Sequence, residues 1–230
     1  MTPASGVAQV DHAVIIDSID RETGALLGRL LGDFLDIDLQ GEPVLNDLTG
    51  GHIVTHLSRE ADRMADQFLE VTGRPVPAFD ANRRWEVHQG GLRPGAVLIE
   101  DFVESADRLK DAVACVEDWP GLDAATRALP ARRLVQLVIH HADLKRPWDS
   151  LPEEDAAIAV SQLPQAMPVE LARIRLVATP GATSVRTKKL DDETVVEGSP
   201  RALLAWASGR VAGLGPASAG LPDLGSRVWF

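Results

Sequence analysis

Residues His52, His56 and Glu60 follow one another at four-residue intervals, and far along the chain Gln136, His140, His141 and Asp143 form a second group. A four-residue step on a helix stacks side chains on one face, so each group can offer two or three donor atoms to one point between packed helices. Imidazole is the commonest protein ligand for zinc and related ions, and open catalytic sites often combine three protein ligands with water. His56 and His140 are the best candidates, because each belongs to a ladder that carries another donor. The competing reading is that helix-borne histidines are hydrogen-bonded core or edge residues that hold no ligand.

These residues need helices to carry them, and helical periodicity dominates the first two thirds of the chain. From about Asp11 to Asp36 an apolar stripe runs through Val14, Ile15, Ile19, Leu26, Leu27, Leu30, Leu31 and Phe34, as on one face of a bundle helix. Gly41 and Pro43 break it. Asn46 or Thr49 can cap the next helix, which runs through His52, His56, Met64 and Phe68 to about Val71 before Gly73-Arg74-Pro75 stops it. A third helical stretch covers about Ala81 to Gln89, is interrupted at Gly90-Gly91, and restarts after Arg93-Pro94-Gly95 to end near Val116. Pro130 opens a fourth helix that carries Leu134, Leu137, Val138 and His141 and ends near Leu144.

The pattern changes after Trp148. Asp155 to Leu163 reads as a helix, while Arg173–Thr179 and Thr183–Thr187 alternate with period two around Pro180-Gly181, as in a hairpin. Glu193–Gly198 is a third strand candidate, followed by a short helix from Pro200 to Gly209. The expected organisation is α+β, with four helices over residues 1–148 and a small α/β domain over residues 149–230.

Composition narrows the function. A formal net charge of -11 argues against nucleic acid as a partner, because a phosphate-tracking surface needs clustered Lys and Arg. Cys115 is the only cysteine, which excludes an intramolecular disulfide framework and a cysteine-based zinc knuckle. Its apolar flanks suit a packing role on a helix. No basic-then-apolar leader and no stretch of about 18 apolar residues is evident, so a cytoplasmic protein without a membrane span is expected. Trp206, Trp229 and Phe230 suit either a core or an interface, and the chain is expected to be a monomer or a homodimer.

The combination of His52-Ile53-Val54-Thr55-His56-Leu57 with Val138-Ile139-His140-His141-Ala142-Asp143-Leu144 resembles the mycothiol-dependent maleylpyruvate isomerase family. The N-terminal part of that family belongs to the DinB-like metal-binding four-helix bundles. Arg93, the run from Glu197-Gly198-Ser199-Pro200 into Leu203–Arg210, and the terminal Arg227-Val228-Trp229-Phe230 extend the resemblance over nearly the whole chain. It implies a DinB-like four-helix bundle followed by a small α/β domain, a divalent metal such as zinc, and mycothiol as cosubstrate. The implied activity is an isomerase or S-transferase acting on a small polar electrophile. The implied metal ligands, carried over by position, are His56, Gln136 and His140.

Gln136 departs from the pattern, since a Glu-x3-His pair is usual there and an amide carbonyl is a weaker, neutral donor. Glu60 is a second departure, where Asn is common. Either the carboxylate has moved to the helix of His56, giving His56, Glu60 and His140 with Gln136 nearby, or Glu60 points to solvent and pairs with Arg63 or Arg59, leaving a degenerate site. His52 and His141 have weaker claims, because His141 is turned about 100° from His140 by the helical period. Asp143 is placed to orient His140 through its other nitrogen or to pair with Lys145 or Arg146. Arg227 is the residue the resemblance assigns to anion recognition at the catalytic site, with Arg93, Arg83 and Arg84 as lesser candidates. The alternative function is a non-catalytic, small-molecule or partner-binding member of the fold with a degenerate metal site.

Overall fold

The computed structural model describes residues 11–32, 39–76, 83–166, 174–179, 186–190 and 193–210. Helices α1 (His12–Gly32), α2 (Gly50–Val71), α3 (Arg83–Gly90), α4 (Gly95–Ala114), α5 (Ala124–Arg127) and α6 (Leu129–Asp143) come first. A 3-10 turn at Trp148–Ser150, helix α7 (Glu153–Ala166), strands β1 (Ile174–Ala178), β2 (Arg186–Leu190) and β3 (Glu193–Gly198), and helix α8 (Pro200–Ala207) complete the described chain. The order is that of a helical N-terminal part with a small sheet following it. No described helix is long and apolar enough to cross a membrane.

The chain forms two compact units. One comprises Asp20–Leu129 and His140–Lys145, and its main contact is that of α2 with α4. Ala61, Met64, Ala65 and Phe68 of α2 meet Leu109 and Ala112 of α4, with Val116 and Leu129 closing the cluster. The stripe repeats at the three- and four-residue spacing that an amphipathic helix requires. Phe68 meets the edge of Trp119, ring centroids 5.7 Å apart, an arrangement the aromatic quadrupole favours. Asp123 caps α5 by accepting from the backbone N–H groups of Ala125 and Thr126 at 2.8 and 3.1 Å.

The other unit contains the start of α1 to Ile19, Pro130–Ile139 of α6, and the described residues from Arg146 to Arg210. Its core joins Ile15, Leu134, Val135, Val138 and Ile139 to Ala159, Leu163, Val196, Leu203, Leu204 and Trp206. Trp206 is fully buried, so of the three aromatic residues read as core or interface it is a core residue. Trp229 and Phe230 lie outside the described residues. Ser199 caps α8 by accepting from the Ala202 N–H, and Pro200 occupies its first turn.

The sheet corrects one expectation. A hairpin of the first two strands around Pro180-Gly181 does not form: the strand order is β1-β3-β2, with β1 parallel and β2 antiparallel to β3. The hairpin is instead β2–β3, whose last pair, Leu190 with Glu193, is separated by two residues. The reason lies in the side chains. Successive Val195 and Val196 are both buried, so β3 has two apolar faces and belongs in the centre, whereas Arg186-Thr187-Lys188-Lys189 is edge-strand chemistry. Residues 180–185, where the turn was expected, lie outside the described segments.

Truncating Phe68 to Ala removes a fully enclosed ring at the α2–α4 contact. The expected loss is about 3–5 kcal/mol of unfolding free energy, measurable by urea denaturation against the wild type.

Candidate functional site

Helix α2 begins where two backbones touch. A Cβ placed on Gly51 would lie 2.4 Å from the Gly91 carbonyl oxygen, and one on Gly91 would lie 2.8 Å from the His52 nitrogen, inside any tolerable contact. Only glycine lets the first turn of α2 seat against the Gly90-Gly91 turn. Thr49 is the N-cap residue. Asn46 has φ 51° and sits in the preceding turn, a left-handed position that asparagine tolerates.

His52 is occupied by this entry into the helix. Its Nδ1 accepts from the Thr49 backbone N–H at 3.2 Å and lies 2.7 Å from the Thr49 hydroxyl. A nitrogen that accepts from a backbone donor carries no proton, so in the neutral ring Nε2–H points to His88 Nδ1, 3.3 Å away. Burial and the neighbouring His88 push the His52 pKa down from 6.5, which keeps the ring neutral and the cap intact.

One turn on, His56 is fully buried, and so is His140 on α6. Their ring centroids are 5.1 Å apart with the planes at 79°. His140 Nδ1–H donates to Asp143 Oδ2 at 2.9 Å, with both side chains almost wholly enclosed. A carboxylate can only accept, so this contact fixes the tautomer, with the proton on Nδ1 and the lone pair of His140 on Nε2. His141, turned to another face, donates from Nδ1 to Glu22 of α1 at 3.5 Å, and both residues are buried.

Glu60 is fully buried on the same face of α2 as His56, and both of its carboxylate oxygens accept from Arg63, at 3.4 Å from Nε and 2.9 Å from Nη2. Arg63 also donates to Gln67 at 3.1 Å. Gln136 is buried one helical turn before His140 on α6. Among the described residues, no three His, Cys, Asp or Glu side chains converge as a ready-made metal group. Arg227 and the side chains of Arg83 and Arg84 lie outside the described residues.

Arg93 has a clear structural partner. Its Nη2 donates to Asp101 at 2.6 Å and its Nε to the Gly90 carbonyl at 3.0 Å. Asp101 also takes a donor from Arg59, which holds Asp62 at 2.7 Å, and Asp62 in turn accepts from Arg108. Burial pushes the Asp101 carboxyl up, but the two guanidinium groups outweigh it and hold it below the usual carboxylate range. Burial dominates for Asp62 and raises its pKa despite Arg59 and Arg108. The ladder ties α2 to α4 and to the glycine turn that receives His52.

Sequence reasoning passed over His88, Glu22 and this ladder. Glu22 had a signal, because it falls in the register of Ile15, Leu26 and Leu30, all buried on α1. A charged residue at a core position needs a buried partner. His88 had none, since its contact with His52 crosses between two helices.

Long helices carrying paired buried histidines, followed by a three-stranded mixed sheet and a closing helix, define the DinB-like bundle class with an appended α/β element. The profile of the mycothiol maleylpyruvate isomerase N-terminal domain matches residues 21–145, more than half of the chain, and this protein belongs to that family. The fold is similar to the crystal structure of the mycothiol-dependent maleylpyruvate isomerase, with a TM-score of 0.70 at 19% identity over 93% of this chain and 96% of that one. A histidine-to-alanine mutant of that isomerase matches with a TM-score of 0.68 at 19% identity, over 87% of this chain and 90% of that one. No curated protein matches the sequence.

The depressed His52 pKa makes a stability prediction. Unfolding raises this pKa toward 6.5, so the unfolded chain binds the extra proton, and stability falls as the pH drops below that value toward the folded pKa. His52→Gln keeps a capping acceptor without the titration. Chemical denaturation at about pH 7 and about pH 5 is expected to show a flatter pH dependence for the variant than for the wild type.

Proposed function

We propose that this chain is a metal- and mycothiol-dependent isomerase or S-transferase acting on a small polar electrophile, centred on His56 and His140. The observation that carries this reading is the buried imidazole pair in which Asp143 accepts a hydrogen bond from His140 Nδ1–H. Orientation of one imidazole through its far nitrogen by a carboxylate is the arrangement that supports metal-ligating histidines. Family membership supports the same thiol cosubstrate.

Two neutral imidazoles fit a divalent ion such as zinc. The third donor is either Glu60, on the face of His56, or Gln136, one turn before His140. A bound ion would supply Lewis acidity that lowers the thiol pKa, making thiolate available near neutral pH. The protein's own contributions are to hold two nitrogens in fixed orientation, to keep Asp143 on the Nδ1 proton, and to exclude bulk water from both rings. Cys115 takes no part, because the nucleophile comes with the cosubstrate.

The thiolate would add to one carbon of a cis enedioyl double bond, forming a C–S bond and moving the π pair onto the conjugated carbonyl as an enolate. Rotation about the former double bond and collapse of the enolate break the C–S bond and return the trans isomer with free thiolate. An S-transferase would protonate the enolate carbon instead and release the adduct. The carboxylates of such a substrate need a cation, and we assign that role to Arg227, whose planar fork matches a carboxylate in pairs.

The second reading is a non-catalytic binding protein of the same fold. Gln136 favours it, as a neutral amide where the resemblance expects a carboxylate, and so does the Arg63 pairing of Glu60.

Zinc content and affinity, measured on protein purified without a metal-affinity tag, separate the two. The wild type is expected to take up one divalent ion, His56→Ala and His140→Ala to lose it, and Asp143→Asn to bind about 10- to 100-fold more weakly. Gln136→Glu is expected to bind more tightly than the wild type. Wild-type protein that takes up no more zinc than His56→Ala would leave the binding protein as the better account.

A further inference from the structure

We infer that Arg63 is an internal competitor for the metal. Its guanidinium holds the Glu60 carboxylate that would otherwise join His56 and His140 as a donor, so that the Glu60–Arg63 pair and a three-donor cation site exclude each other. This inference rests on the reading of His56 and His140 as ligands.

Three observations carry it. Glu60 is one helical turn from His56 on α2, the spacing that brings side chains together on one face. Arg63 engages both Glu60 oxygens, Nη2 at 2.9 Å and Nε at 3.4 Å, and no described trio of His, Cys, Asp or Glu side chains converges as a metal group. Finally, Glu60 has no exposed side-chain surface while Arg63 retains 22%. Of the two partners, it is the guanidinium that has a path to water.

The charges suit an exchange of partners. A buried carboxylate without a cation is costly, and Glu60 would keep one in both arrangements, the guanidinium in one and the metal in the other. Gln67, which already accepts from Arg63 Nη1 at 3.1 Å, gives the released guanidinium a contact one turn away from the histidines. A neutral Gln136 on α6 adds no second negative charge to compete for the ion. Metal affinity is therefore set by how tightly Arg63 holds Glu60, and binding of the ion is coupled to release of that arginine.

The test is zinc affinity, by competition with a chromophoric chelator, for the full chain and for Arg63→Gln, Arg63→Lys, Glu60→Gln, the Arg63→Gln/Glu60→Gln double variant and His56→Ala, each with a thermal melt with and without zinc. Arg63→Gln is expected to bind zinc about tenfold or more tightly than the wild type, a difference of about 1.4 kcal/mol. The gain is expected to vanish in the double variant, and zinc is expected to raise the melting temperature of Arg63→Gln by more than that of the wild type. Arg63→Lys, which keeps the charge but loses the fork, should fall between the two. It decides the matter if Arg63→Gln fails to fold, and affinity no higher than wild type would then overturn the proposal. Zinc binding that depends on His56 but is unchanged by Arg63 substitution, or a gain that survives Glu60→Gln, overturns the proposal and leaves the metal reading standing. Absence of zinc binding in every variant overturns both.

Discussion

Helix α2 is buried on every side along its first nine residues, Gly50 through Ser58, and the rest of the structure answers to that enclosure. Two of the nine, His52 and His56, must place imidazoles, and Glu60 follows one turn after His56 as a buried carboxylate. Burying a polar group without a partner costs about 1–3 kcal/mol, and breaking a buried ion pair costs about 3–5 kcal/mol. Neighbouring elements must therefore bring matching groups to fixed places. Thr49 and His88 do so for His52, the His140 ring packs against His56, and Arg63 does so for Glu60.

The same enclosure explains why the charged ladder lies where it does. Asp62 and Asp101 sit on the rim of the α2–α4 contact, each between two arginines. Isolated surface pairs contribute little, but a shared set of acceptors at a half-buried seam fixes how one helix is rotated against the other. The glycine contact between Gly51 and Gly91 sets the approach at one end of α2, and the Phe68 cluster sets it at the other. Between these fixed ends, the face bearing His56 and Glu60 has one orientation available. Asp143 plays the corresponding part for His140 on α6. The chemistry proposed for the pair depends on this rigidity, because an imidazole that rotates freely is a poor ligand and a poor positioner.

Much of the helical scaffold could be read along the chain. Amphipathic spacing marked α1, α2, α4 and α6, and the proline at residue 130 falls in the first turn of α6, because helix periodicity and helix-start signals are local properties. Strand pairing was not local. Arg186–Leu190 lies at the edge and β3 at the centre because burial of both faces of Val195-Val196 outweighed the nearer Pro180-Gly181 turn signal. The partner of Arg93, a lesser candidate for anion recognition by sequence, was not local to its motif either: Asp101, eight residues later on α4, holds it.

By itself the sequence determined which residue types could do chemistry and on which helices they ride. The four-residue steps through His52, His56 and Glu60 and through Gln136 and His140 are fixed by covalent order and the helical repeat. Tertiary structure decided which of those side chains meet and which are taken up elsewhere. It turned His52 into a helix cap, put the His140 ring edge-on to His56, and gave Glu60 to Arg63. The physical reason is that a one-dimensional pattern states only that a side chain faces inward, while its partner is set by the rotation and approach of another helix, and those follow from packing and buried charge across the whole contact.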